Sequence, residues 1–213
     1  MLGIIRVLTT DQDEILQEHG RTMNEKFNIE SLTHCIPDQP NGIYDDTSEQ
    51  TAVPKIVSLA QKMAENKNVQ ALTISCAADP ALDEVRGVVD IPVLGAGVCG
   101  AHAASMVSER VGIIGIKEAP PPRMRKELGD RFYSFAYSPK LRKTTDLLEE
   151  GAKEELLSIV KRLIGEGADS ILFACTGFST IRLKDYLVKY IDVPIIDLVE
   201  AQAIAYNLIC GKI

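Results

Sequence analysis

The chain has no Cys-x-x-Cys pair, no clustered run of lysine and arginine, and no apolar stretch near the roughly 18 residues needed to cross a bilayer. The first and last absences predict neither a zinc ribbon nor a membrane span. The second removes the electrostatic footprint of nucleic-acid binding, as does the balance of 23 basic against 30 acidic residues and a net charge of −7. Histidine is scarce, with His19, His34 and His102 scattered, and the cysteines at 35, 76, 99, 175 and 210 follow no metal-ligand spacing. No metal site is therefore expected. Residues 1–8 are apolar but run straight into Thr9-Thr10-Asp11-Gln12, which reads as a buried strand and a turn without a signal-peptide cleavage pattern. A cytoplasmic protein is expected.

What is present is enough for a core: 46% hydrophobic and 25% charged residues over 213 positions, one large domain or two small ones built closely together. Strand and helix patterns alternate almost throughout, which predicts α/β architecture with parallel sheets flanked by helices. Strands are expected at 3–8, 29–36, 69–75, 91–94, 111–116, 132–137, 170–174 and 194–196. Helices are expected at 11–27, from about 47 to 67, at 80–89, 98–109, after the triple proline 120–122, at 146–164, 180–190 and 199–209. Thr47 and Gln50 have capping-box spacing, with Pro54 placed awkwardly behind them. The apolar positions 148, 152, 156, 160 and 163 mark the clearest helix.

An internal repeat is the most informative feature. Val69-Gln-Ala-Leu-Thr-Ile-Ser-Cys76 leads through a helix to Asp90-Ile-Pro-Val-Leu94, and Ala168-Asp-Ser-Ile-Leu-Phe-Ala-Cys175 leads through another to Asp192-Val-Pro-Ile-Ile196. Two such units predict two similar lobes, related by a pseudo-twofold axis, with a cleft between them. Ligands of parallel sheets bind beyond the carboxyl ends of the strands, where Cys76 and Cys175 stand. Backbone N–H groups at these turns should pull a thiol below its usual pKa near 8.5. Two thiols flanking one cleft suit racemisation: one removes a proton from an acidic carbon and the other returns a proton to the opposite face. N–H donors hold the intervening enolate, and no cofactor is needed. Cys35, Cys99 and Cys210 lack such partners and read as core fillers.

At Ile74-Ser-Cys76-Ala-Ala-Asp79-Pro80, Ile91-Pro-Val-Leu-Gly-Ala-Gly97, Arg110-Val-Gly-Ile-Ile114, Ala174-Cys175-Thr-Gly-Phe-Ser179 and Val193-Pro-Ile-Ile-Asp197 the sequence resembles the aspartate/glutamate racemase superfamily, most closely its hydantoin racemase branch. The resemblance runs over nearly the whole chain. It implies Cys76 and Cys175 as the catalytic pair, a small-molecule substrate, a homo-oligomer and a last helix that returns to the first lobe. The lobes are then 1–95 with 198–213, and 96–197. Substrate contacts are expected from Thr9, Ala77, Ala78, Asp79, Thr176 and Gly177, although Asp79 also suits a cap of the helix after Cys76. Amino-acid racemases of the superfamily usually carry Asn and Thr after their cysteines. Ala77-Ala78 and Thr176-Gly177 depart from that, which points toward a neutral ring such as a 5-substituted hydantoin. Thr9-Thr10-Asp11-Gln12 in turn replaces the Asn-Pro-Asn-like turn common in hydantoin racemases.

Rival readings remain at this point. Gly95-Ala-Gly97-Val-Cys-Gly100, followed by Glu118, has the form of a dinucleotide fingerprint and would suit a nucleotide-dependent oxidoreductase or binding module. An aspartate/glutamate-type racemase, a single-cysteine decarboxylase or cis–trans isomerase, and a non-catalytic binding pair keep the fold and change the activity. The 37–44 segment is a candidate lid, His19 and His102 read as surface or satisfied groups, Asp197 as a helix cap, and Lys117 and Glu118 carry no assigned role.

Overall fold

Leu-Gly-Ile-Ile-Arg and Val-Gly-Ile-Ile-Gly are buried along their whole length, as strands covered on both faces must be. In the computed structural model, which describes residues 1–210, they are inner strands of two four-stranded parallel sheets. β1 (Leu2–Arg6), β2 (Ser31–Cys35), β3 (Ala71–Ser75) and β4 (Val93–Gly95) lie in the order β2-β1-β3-β4. β5 (Val111–Gly115), β6 (Phe132–Tyr137), β7 (Ser170–Phe173) and β8 (Ile195–Ile196) repeat it as β6-β5-β7-β8. The sequence repeat is thus a repeat of sheet topology. Cys76 follows β3, Cys175 follows β7, and Pro92 and Pro194 directly precede β4 and β8.

The helices are α1 (Asp13–Phe27), α2 (Asp46–Ala64), α3 (Leu82–Arg86), α4 (Ala96–Ser105), α5 (Pro122–Leu128), α6 (Ala152–Glu166), α7 (Gly177–Thr180), α8 (Leu183–Leu187) and α9 (Leu198–Cys210). α9 packs on α1, β3 and β4 beside the first sheet, and on α4. Its buried Gln202 accepts from the Thr73 hydroxyl at 2.6 Å, which fastens it to β3. Residues 211–213, at the end of the expected 198–213 segment, lie outside the described residues. No helix among the described residues is long and apolar enough to cross a membrane.

Three local expectations are corrected. The capping box of α2 is Asp45 with Ser48, the carboxylate accepting from Ser48 N at 2.7 Å and the hydroxyl from Asp45 N at 3.0 Å. Pro54 neither breaks nor delays that helix: it and Gln50, whose carbonyl loses its partner, both face solvent. The expected 146–164 helix starts only at Ala152, because Gly151 takes a left-handed conformation (φ 83°) and Thr144–Leu148 winds as a separate 3₁₀ turn. The expected 180–190 helix is two short ones parted at Arg182, whose φ is 51°.

Candidate active site

Because both sheets are parallel, their carboxyl ends gather the turns after β1, β3, β5 and β7 on one side. Cys76 and Cys175 line a single cavity there, with Arg6, Ser75, Ala77, Ala78, Ile116, Lys117, Thr144, Thr176 and Gly177. A chamber of about 250 Å³ adjoins it, sharing Arg6, Leu8, Thr144 and Gly177 and walled further by Thr9, Ile15, Pro40, Thr145 and Leu148. On another side lies an open groove of about 680 Å³ containing Tyr44, Glu49, Glu118 and Arg142. Lys117, shared by cavity and groove, is paired to Glu49 of α2 at 3.2 Å across the two halves.

The two cysteine turns are joined directly. The Thr176 hydroxyl donates to the Ser75 carbonyl at 3.0 Å, so the residue after one cysteine holds the residue before the other. His19 of α1, fully buried, makes the second tie: Nδ1 lies 2.9 Å from the Ser75 hydroxyl and Nε2 lies 3.0 Å from the Thr176 carbonyl. A carbonyl only accepts, so Nε2 carries the proton and Nδ1 accepts from the hydroxyl. Burial, and then the Arg6 charge, push the His19 pKa well below its usual value, which keeps the ring neutral. His19→Leu leaves the buried Ser75 hydroxyl and Thr176 carbonyl without that partner and is expected to cost about 3 kcal/mol. Urea unfolding followed by circular dichroism measures this; an unchanged midpoint would remove His19 from the framework.

The thiols do not have lowered pKa values. Burial pushes Cys76 up to about 12, against one backbone N–H from Ala78, and Cys175 up to about 11, against N–H groups of Gly177 and Phe178 and the Thr144 hydroxyl. The expected pull of the turn is present, with Gly177 N 3.3 Å from Cys175 Sγ, but desolvation of a buried thiolate outweighs it. Gly177 leaves room for the 3₁₀ turn that closes the cavity: a Cβ there would stand 2.8 Å from the end of Leu147 and 2.9 Å from the Thr144 methyl, so those side chains would have to shift.

Of the other expected contacts, Ala77, Ala78, Thr176 and Gly177 line the cysteine cavity. Thr9 lines the adjoining chamber instead, and its hydroxyl is already engaged, donating to the Ile36 carbonyl at 2.6 Å and accepting from Gln39 N at 2.7 Å. Asp79 is turned away from the cavity. Its buried carboxylate accepts from Gly97 N and Val98 N, each at 2.8 Å, so it caps α4 rather than the helix after Cys76. That contact also removes the dinucleotide reading. The amides that would hold a pyrophosphate are taken by Asp79, and a Cβ on Gly97 would run into the Ala77 carbonyl. These glycines serve packing.

Asp197 caps α9 as expected, accepting from Val199 N at 2.8 Å and from the Ser179 hydroxyl. Of the 37–44 segment, Ile43 reaches the cysteine cavity and Pro40 the chamber, while Gln39 pins the loop through the Gly42 and Ser48 carbonyls. Glu118 pairs with Arg142 at 3.0 Å. Sequence reasoning missed Arg6, Ser75 and Thr144. For Arg6 a signal existed: it is the one charge inside an otherwise apolar strand.

The model of the family described as Asp/Glu/Hydantoin racemase matches residues 15–205. A hydantoin racemase from Pseudomonas sp. (strain NS671) is 30% identical over 172 residues, which are 76% of this chain and 66% of that relative, so the chain spans just under two thirds of its length. Among solved structures, an allantoin racemase from Klebsiella pneumoniae superposes with a TM-score of 0.80 at 20% identity, covering 97% of this chain and 86% of that one. A glutamate racemase from Bacillus anthracis gives 0.71 at 19% identity, over 98% and 80%. These two share the fold of two parallel-sheet lobes. With the family model matching most of its length, the chain belongs to the Asp/Glu/Hydantoin racemase family.

Proposed function

We propose that this protein is a cofactor-independent racemase of a hydantoin-like or amino-acid-derived substrate, with Cys76 and Cys175 as its two bases. The observation that carries the reading is the placement of both thiols, at equivalent ends of repeated sheets, on one cavity. One thiolate takes the proton from the acidic carbon, forming S–H as the C–H bond breaks, and the electron pair moves onto the adjacent carbonyl oxygen as an enolate. The opposite thiol then delivers its proton to the other face of that carbon, becoming the thiolate while the carbonyl re-forms. The backbone N–H groups of Ala77 and Thr176 are spared for the enolate oxygen, since neither has a protein acceptor among the described hydrogen bonds.

The chamber beyond Arg6, with Leu8, Ile15, Pro40 and Leu148 on its wall, suits the substituent at the stereocentre. The cavity carries no acidic residue, and its neutral Ala77-Ala78 and Thr176-Gly177 turns favour a ring over a free amino acid. Relatives named hydantoin racemase and allantoin racemase agree with that preference. Residues 1–95 with the closing helix, and 96–197, are the proposed lobes.

The test is loss of optical rotation in enantiopure 5-substituted hydantoins, with allantoin, glutamate and aspartate run beside them. Hydantoins are expected to racemise fastest, and an enzyme that racemises none of these compounds ends the proposal. Because burial raises both thiols, kcat/KM should climb with pH, on the order of tenfold per unit while the thiolate is the minor form. A flat profile from neutral to alkaline pH would show that the catalytic thiol is already ionised at neutral pH and overturn the raised-thiol reading.

A further inference from the structure

Arg6 is 1% exposed, yet no carboxylate among the described residues lies within 4.0 Å to neutralise it. Glu18 of α1, the acid in its vicinity, is held instead by Arg182 at 2.7 Å and Arg21 at 3.3 Å. Nη1 of Arg6 donates to the Ile15 and Leu16 carbonyls at 2.7 and 3.0 Å, and Nη2 to the Thr180 hydroxyl of α7 at 3.3 Å. Ile15 and Thr180 themselves line the chamber of about 250 Å³, so these contacts place the guanidinium on the chamber's inner wall. Nε is buried without an acceptor, and Nη2 has a second hydrogen that no group takes up among the described residues. A buried cation in this position is costly unless negative charge comes to it.

The hydroxyls around the chamber offer hydrogens as well. Thr180 accepts from Arg6 and from His19 Nε2 at 3.0 Å, which leaves its own hydrogen to donate. Thr10 accepts from Gln12 N at 3.2 Å and is in the same position. The acceptors of the wall, Asp11 and Gln12, are exposed to solvent. Leu8, Ile15, Pro40 and Leu148 supply an apolar lining for a short carbon chain.

We propose that the chamber takes a carboxylate: the substrate carries an acidic side chain at its stereocentre, with the alkyl stem along the apolar lining and the carboxylate held by Arg6. This rests on the racemase reading of the site and names its substrate class, hydantoins bearing a 5-carboxyalkyl group. Such a substituent supplies the counter-ion that Arg6 lacks and an acceptor for the surrounding hydroxyls. Thr144 and Gly177 line both the chamber and the thiol cavity, so a stem lying beside them joins the carboxylate to a ring between Cys76 and Cys175. Burial lowers the Arg6 pKa to about 10, which leaves it charged at neutral pH.

The experiment compares kcat/KM at neutral pH for racemisation of 5-(2-carboxyethyl)hydantoin and of its uncharged isostere, 5-(2-carbamoylethyl)hydantoin. The wild type should prefer the carboxylate by about 10- to 100-fold, and in Arg6→Met the ratio should fall to about 1. Taking the ratio within one protein cancels any general loss of activity. Should Arg6→Met fail to fold, Leu148→Glu, at an exposed position of the chamber wall, sets a carboxylate against the substrate's own and should lower the ratio by roughly threefold. A wild type that racemises both compounds equally, or a folded variant that keeps the wild-type ratio, would overturn the inference and leave the racemase reading standing. If the wild type racemises neither compound, calorimetric binding of the two decides. Tighter binding of the carboxylate leaves the chamber's role standing and ends the racemase reading, whereas equal binding or none overturns the inference.

Discussion

Cys76→Ala and Cys175→Ala are each expected to lower kcat for racemisation by about 10²–10⁴-fold, because each removes one of two groups between which the proton must pass. Both losses should be of the same order, and the double variant should lose little more, as for groups that act as a unit. The fold should survive either change, since each alanine fills most of the space of the thiol it replaces and the Cys175 sulfur makes only a long 3.3 Å hydrogen bond with Gly177 N. Single-enantiomer substrate in deuterated water adds a sharper reading. The wild type should place solvent deuterium in the inverted product, while a variant that keeps one thiol should do so far more slowly. A variant lacking either cysteine that still racemises at the parent rate would sink the two-base mechanism outright.

The second large effect concerns stability, through Asp79. Burial pushes its carboxyl up to about 7, against the pull of the two α4 amides. The folded state therefore holds a proton that the unfolded chain, with a carboxyl near 3.8, has already released. The sign follows: the stabilising contribution is fully present below about pH 4 and is lost as pH rises through about 7, by an amount on the order of 4 kcal/mol. His19 works in the opposite sense over part of that window, because its lowered pKa makes the fold resist protonation as pH falls below 6.5. The informative quantity is thus the unfolding free energy of the wild type minus that of Asp79→Asn, which should decline from pH 4 to pH 8. A pH-independent difference would show that the cap is ionised throughout.

Asp79 also explains why the glycine-rich segment misled a reading by motif. Gly-x-Gly-x-x-Gly after a strand is the same string whether the following helix start receives a phosphate or an internal carboxylate, and only the position of Asp79 over Gly97 and Val98 separates the two. The thiols teach a related lesson. Their place at strand ends was legible, but the sign of their pKa shift was not, because desolvation depends on how completely the opposing half and the Thr144–Leu148 turn close over them.

Periodicity and repetition were enough by themselves to establish the alternation of strands and helices and the doubling of the unit around Cys76 and Cys175, while the family resemblance was carried by the motifs around those cysteines. Pattern also located the strands to within about two residues at each end, since buried parallel strands are continuous apolar runs. Which polar groups are spent and which remain free was decided only by the tertiary structure. Thr9 is far from Ile36 in sequence, His19 far from Thr176, and Arg6 far from Thr180, yet these pairs determine what faces the cavity. Hydrogen-bond demand is satisfied by whatever the fold brings near. Arg6 was passed over as part of an apolar run, and only the fold shows that its side chain joins the α1 carbonyls to Thr180.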